Sequence, residues 1–79
     1  MNTSAINIDP EIMSGAPVFR GTRVTIQTLF DYLEHGKTVE DFLKDYDWVK
    51  KEQALNVLEI ARNFVSNKKY LKILHENPA

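Results

Sequence analysis

At 79 residues the chain has room for one small domain, and its lack of cysteine excludes disulfides and thiolate metal sites. A net charge of −1 argues against a general nucleic-acid-binding protein. No apolar run approaches the roughly 18 residues of a transmembrane helix, and we expect a cytoplasmic protein. With 43% hydrophobic residues the chain should fold, and because it has no covalent staple we also expect it to self-associate.

The charge is unevenly distributed along the chain. Residues 1–23 are neutral overall, residues 24–47 carry −4, and residues 48–79 carry +3. An acidic middle with a basic end fits a partner of mixed or negative charge. It equally fits a homodimer whose halves complement each other, and the charge pattern alone does not choose between these partners.

Residues 1–24 predict an irregular, β-rich arm. Apolar and polar residues alternate over residues 6–8, and two turn signals follow, Asp-Pro and Ser-Gly-Ala-Pro. Val18, Phe19 and Val24 flank an Arg-Gly-Thr turn, as short strands or bridges would.

The hydrophobic period then changes to about 3.6 and predicts a three-helix core over residues 25–66. The first helix follows Thr25 as its N-cap and ends at Gly36, a residue suited to the left-handed position after a helix. The second helix follows Thr38, with Asp41 placed three residues on, as in a capping box.

The third helix is the longest, from about Lys51 to about Ser66, and residues 67–79 form a tail that extends it or frays. Its apolar residues are spread too widely for one stripe, and a helix that is apolar on two sides must bury both. A homodimer contact is the simplest explanation, because three short helices cannot wrap this helix fully. The candidate contact residues are Leu55, Ile60, Phe64, Tyr70, Leu71 and Leu74.

These elements predict a single domain over residues 1–79 that is mainly α. The expected fold is a three-helix, homeodomain-like (helix-turn-helix) bundle with a short N-terminal β arm. In a helix-turn-helix protein the last helix enters the major groove of DNA. The same pattern of three helices is also typical of simple bundles that have no DNA role.

Two arginines surround the glycine of the Arg-Gly-Thr-Arg turn. The planar guanidinium groups of Arg20 and Arg23 suit phosphates, carboxylates or base edges, so the arm is a candidate contact for nucleic acid or for an acidic partner. Alternatively, one or both arginines reach back to an acid such as Asp31 or Asp45 and clamp the arm to the helices. The sequence leaves both interpretations open.

The start of the third helix is a second candidate contact. Lys50 and Lys51 stand at a helix start that offers no obvious capping side chain, where backbone N–H donors and two ammonium groups suit a phosphate. Gln53 and Asn56, one turn further, are amides suited to adenine edges. The alternative is a solvated, poorly capped helix start with no ligand.

An enzyme is not expected. His35 and His75 lack metal-ligand spacing, and no serine or threonine has a paired histidine and acid. The glycines lie too far apart for a phosphate-binding loop, and the acids Glu40, Asp41 and Asp45 resemble a solvated helix face. We therefore predict no catalytic residue, no metal site and no cofactor.

The run from Asp9 to Val24 strongly resembles the family called domain of unknown function 433. In that family an Asp-Pro start leads through Gly-x-Pro to an x-Gly-Thr-Arg turn, and then to an amphipathic helix that ends in glycine. The resemblance continues into the third helix and covers about residues 6–65. Its signature positions in this chain are Gly15, Pro17, Gly21, Thr22 and Arg23.

The resemblance implies a small homeodomain-like fold and the role of an antitoxin in a bacterial or archaeal toxin–antitoxin pair. Such antitoxins bind a toxin, for example a PIN-domain ribonuclease, and repress their own operon. Relatives usually carry a proline after the tyrosine of the second helix and a serine or threonine cap before the third. This chain has Asp47 and Lys50 at those positions.

Two functions therefore remain as expectations. The first is an antitoxin-like, homodimeric regulator that binds its own operator DNA and a partner toxin. The second is a protein–protein interaction module without DNA binding, which neutralises or bridges a partner protein. For the first function, the candidate DNA contacts are Arg20, Arg23, Lys50, Lys51, Gln53 and Asn56.

Overall fold

A computed structural model of the chain describes residues 5–69 and residue 72. The two strands are β1 (Ile6–Asn7) and β2 (Val18–Phe19), and the three helices are α1 (Ile26–Glu34), α2 (Val39–Asp45) and α3 (Lys51–Ser66). The prediction of a mainly α, three-helix bundle with a short N-terminal β hairpin is confirmed. None of the described helices has the length and apolar character needed to cross a lipid bilayer.

The N-terminal arm is a hairpin whose strands are very short. β1 pairs antiparallel with β2, so that Ile6 lies opposite Phe19, and an isolated bridge joins Val18 to Thr25 at the start of α1. This confirms the predicted strand at Val18 and Phe19 before the Arg-Gly-Thr turn, whereas after the turn the bridge forms at Thr25 and not at Val24. Between the strands, Met13 and Ser14 both adopt positive φ angles, 49° and 57°, which residues with side chains rarely do.

Helix α1 begins and ends where the local signals predict. The Thr25 side chain accepts a hydrogen bond from the backbone N–H of Thr28 at 3.3 Å and caps the first turn. After the helix, Gly36 has a φ of 78°, the left-handed conformation that follows many helix ends and that favours glycine.

Helix α2 begins with the predicted capping box. The N–H of Asp41 donates to Thr38 Oγ1 at 3.1 Å, and the N–H of Thr38 donates to Asp41 Oδ2 at 2.9 Å. The Thr38 backbone N–H, and then its hydroxyl, hold the pKa of the Asp41 carboxyl below its usual value, because they stabilise the charged form.

Helix α3 has the predicted bounds, and the side chain of Lys50, its N-cap residue, makes no capping hydrogen bond, as expected. Gln53 Oε1 accepts a hydrogen bond from the backbone N–H of Lys50 at 3.0 Å. This is one half of a capping box. The other half is missing because the Lys50 ammonium has no acceptor to offer the Gln53 N–H.

The core joins the arm to all three helices. Phe19, from β2, is fully buried, and its ring centroid lies 5.7 Å from that of Phe42 on α2. The arm is therefore part of the core and not an appendage, since one of its side chains occupies the centre. The buried cluster consists of Phe19, Leu29, Phe42, Val49, Ala54 and Val57.

Candidate functional site

The Arg-Gly-Thr turn is closed by its own hydrogen bonds. The N–H of Thr22 donates to the carbonyl of Phe19 at 3.0 Å, with Gly21 at a φ of 82°. The Thr22 hydroxyl donates to the same carbonyl at 2.7 Å and accepts from the N–H of Val24 at 3.0 Å. These bonds fix the directions in which the chain enters and leaves the turn.

Arg20 connects the turn to its surroundings on both sides. Its Nη2 donates to the carbonyl of Ile6 at 2.8 Å, and its backbone N–H donates to the carbonyl of Ala5 at 2.9 Å. Its own carbonyl accepts from Nε2 of Gln53 at 3.2 Å. Arg20 thus makes clamp contacts, and it makes them with the backbone of the arm and with α3.

Arg23 is placed differently. Its side chain is exposed, and within the described residues it makes no hydrogen bond or ion pair. It lines a depression of about 590 Å³ together with Met13, Tyr46 and Trp48, among other residues. Its five N–H donors therefore remain available to a ligand.

The start of α3 and the turn form a second depression, of about 710 Å³. It brings together four of the six candidate DNA contacts, although Lys51 and Arg23 are not among its lining residues. Lys51 instead pairs with Glu40 on α2, with Nζ 3.2 Å from Oε1. The lining residues are Ala5, Arg20, Gly21, Thr22, Trp48, Lys50, Glu52, Gln53 and Asn56.

The two amides expected to contact bases are not available for that purpose in this conformation. Both polar atoms of the Gln53 amide already have partners, the N–H of Lys50 and the carbonyl of Arg20. Oδ1 of Asn56 is buried and accepts no hydrogen bond from the described residues. Because paired contacts to adenine need an accessible oxygen and an accessible N–H, either amide would first have to rotate.

Trp48 is the functional candidate that the sequence analysis missed. Its side chain is 67% exposed, although Val49 beside it is buried, and it lines both depressions. The connector between α2 and α3 has no periodic pattern, so nothing local distinguishes the exposed residue from the buried one. The available signal was compositional, because Trp48 is the single tryptophan of the chain.

A hydrogen bond joins Tyr32 on α1 to Asp45, the last residue of α2. The Tyr32 hydroxyl donates to Asp45 Oδ2 at 2.7 Å, and this bond raises the pKa of Tyr32 to about 12 because ionisation would remove the donor beside a carboxylate. The ring of Tyr46 packs against Tyr32 and lies 6.5 Å from Trp48, centroid to centroid. Asp45 is therefore a structural acceptor and not only part of a solvated face.

The candidate dimer contacts come from α3 and from the segment that follows it, and they fall into two groups. Leu55 and Phe64 are 47% and 45% exposed, and Ile60 is half-buried. The other three, Tyr70, Leu71 and Leu74, lie outside the described residues. Nor do the described residues contain a group of three or more acids, histidines or cysteines that could hold a metal ion.

Comparison with known proteins identifies the family. A family model described as "Protein of unknown function (DUF433)" matches residues 6–61, more than two thirds of the chain. No curated protein and no solved structure matches this chain. The match includes the hairpin, the Arg-Gly-Thr-Arg turn, α1, α2 and most of α3, and this chain therefore belongs to the DUF433 family.

Proposed function

We propose that this protein is the antitoxin-like member of a two-protein pair and that it acts by binding its partner protein. The observation that carries the proposal is the exposed Trp48, which stands between two depressions at the junction of the arm with α3. Tryptophan and arginine are the residues most enriched at protein–protein hot spots. Here one tryptophan lines one depression with Arg20 and the other with Arg23.

The charge distribution favours a protein partner over DNA as the main ligand. The outer surfaces of α2 and of the start of α3 are mixed, because Glu40, Asp41 and Glu52 accompany Lys50 and Lys51. DNA binding draws most of its affinity from phosphate neutralisation by unpaired cations. An ion pair such as Lys51–Glu40 reduces that attraction.

The proposed pairing is tested by co-expression of the full chain with the product of the adjacent reading frame, with an affinity tag on this chain only. A stoichiometric complex that survives gel filtration at physiological salt is the expected result. If the two proteins elute separately at micromolar concentration, the pairing is wrong. A toxic product of that reading frame, tolerated by cells only when this chain is present, would identify the pair as toxin and antitoxin.

DNA binding through α3 is a second candidate function, favoured by the exposure of both Lys50 and Lys51 at the first turn of this helix. A gel shift with the DNA upstream of its own gene tests it. Binding should weaken steeply with salt, and replacing both lysines by alanine should reduce the slope of log K against log salt by about 2, one for each lost phosphate contact. A flat slope, or no shift at micromolar protein, would exclude this function.

A further inference from the structure

Trp48 and its neighbours form one continuous surface that the proposed function does not yet describe. We use the name Trp48 surface for Met13, Arg20, Arg23, Trp48 and Lys50. Trp48, Gly21 and Thr22 line both depressions, so the two are adjacent and share one boundary. The surface therefore extends from the loop of the hairpin, across the turn, to the start of α3.

The two depressions differ in chemistry. The larger one presents slightly more polar than apolar surface, and its polar residues include Lys50, Gln53 and Asn56. The smaller one presents apolar groups, including Met13, Val24 and the ring of Tyr46. A ligand that fills both must therefore offer polar or charged groups on one side of Trp48 and bulky apolar groups on the other.

The charge of the Trp48 surface has the opposite sign to that of the whole chain. Two cations, Arg23 and Lys50, line the two depressions against one carboxylate, Glu52, and Arg20, which donates to the Ile6 carbonyl, lines the larger one. The chain as a whole carries −1. A local excess of positive charge on a negative protein favours a partner segment that carries carboxylates.

The Arg20 part of the surface is fixed by hydrogen bonds within the chain. Arg20 is bonded to the carbonyl of Ile6, and Gln53 bonds the carbonyl of Arg20 from α3. On the other side, Met13 and Ser14 have left-handed backbone angles, and Met13 is 44% exposed. A preformed surface loses less conformational entropy on binding, so its contacts contribute more of their energy to affinity.

We infer that the Trp48 surface is the docking site for an acidic, apolar segment of the partner protein. Carboxylates of that segment bind the guanidinium of Arg23 and the ammonium of Lys50, and a bulky apolar side chain packs on Trp48 and Met13. The inference rests on the proposed function, since it specifies where and how the partner binds. Nucleic acid fits less well, because its phosphates offer no complement to the apolar groups Met13 and Val24 of the smaller depression.

Binding of the partner at this surface can be measured by fluorescence. Trp48 is the single tryptophan of the chain, and the emission of a tryptophan changes when its exposure to water changes. The probe is the purified product of the adjacent reading frame, added to the full-length chain. We expect the emission to shift to shorter wavelength and quenching by acrylamide to fall on binding, provided that the signal of the partner's own tryptophans is subtracted.

Two variants test the contacts. Arg23→Glu and Trp48→Ser should each weaken the complex about tenfold or more, the loss expected when a hot-spot contact is removed. Lys44→Glu is the matched charge reversal on α2, and Ile8→Ser is the matched apolar truncation, since Ile8 is 66% exposed and lines neither depression. Both controls should bind as the natural chain does. Far-ultraviolet circular dichroism confirms that all four variants are folded.

The chemistry of the segment is tested with overlapping peptides that span the partner sequence. The peptide that shifts Trp48 emission should contain acidic and bulky apolar residues, and replacing its acids by lysine should abolish the shift. A binding peptide that lacks acids overturns the inference. So does a single-stranded oligothymidine that shifts the emission more strongly than any peptide, because the surface would then be a nucleic-acid site.

The two proposals fail in different ways. If the complex forms but Trp48 stays exposed and both variants bind normally, the docking site is elsewhere and the proposed function still stands. If no complex forms at all, both the proposed function and the docking site are wrong.

Discussion

Glycine is favoured at position 21 by its backbone angle and not by a lack of space for a side chain. It adopts a φ of 82°, and beyond the glycine and its two chain neighbours no atom lies within 4 Å of the position where a Cβ would be. A side chain at this position would thus meet open space, so any cost of substitution arises from the backbone alone. The positive φ angle explains why glycine stands at this position of the Gly-Thr-Arg signature, where the turn reverses the chain between Arg20 and Arg23.

Gly21→Ala should lower the free energy of unfolding by about 1–2 kcal/mol, the cost of placing an L-residue with a Cβ in the left-handed region. Gly21→Asn should cost less, because asparagine tolerates that region better than other residues with side chains. Urea unfolding followed by circular dichroism measures both. Equal losses for the two variants would mean that sterics, and not the backbone angle, set the cost.

The hydrogen bond of Tyr32 makes the stability of the fold depend on pH, and it fixes the sign of that dependence. Its pKa is raised from 10.0 to about 12, so the folded state retains the phenol proton more strongly than the unfolded chain does. The stabilisation is fully present below pH 10 and is lost as pH rises from 10 towards 12. Comparison with Tyr32→Phe tests this: the stability advantage of the natural chain should shrink over that interval. An advantage that is constant with pH would contradict the bond to Asp45.

At the scale of secondary structure, the sequence predicts what is local and misses what is distant. The helix bounds follow from signals a few residues apart, as with Thr38 and Asp41, whose capping box the structure confirms. Gln53 is the opposite case. Its contact with the carbonyl of Arg20 joins residues 33 positions apart, and no periodic pattern encodes it.

Gln53 therefore has two structural roles that substitution can separate. Gln53→Glu keeps an acceptor for the Lys50 N–H and loses the donor to Arg20, whereas Gln53→Ala loses both. We expect Gln53→Ala to cost about 1–2 kcal/mol of stability and Gln53→Glu to cost less, since a carboxylate in the first turn also favours the helix dipole. Thermal unfolding of the two variants checks the order. If they are equally destabilised, the cap contributes nothing and only the bond to Arg20 matters.

At the scale of the whole molecule, the chain is too small to bury all its apolar side chains. Sequence composition predicts that some apolar side chains stay exposed, but tertiary packing decides which residues these are. Val49 is 3% exposed and Trp48 is 67% exposed, although they are neighbours in an unpatterned connector. The apolar residues of α3 divide in the same way, because Ala54 and Val57 are buried and Leu55 is half exposed.

The exposed apolar residues of α3 provide the last prediction, which concerns self-association. A small domain without staples gains stability by covering such residues against a second copy. We expect a homodimer at micromolar concentration by sedimentation equilibrium, and Leu55→Glu should convert it to a folded monomer because a carboxylate would be buried at the contact. Ile8→Glu, an equally polar change at an exposed apolar residue of the arm, should leave the dimer intact. A natural chain that sediments as a monomer at this concentration would contradict the prediction. A dimer that survives Leu55→Glu would place the contact elsewhere on the chain.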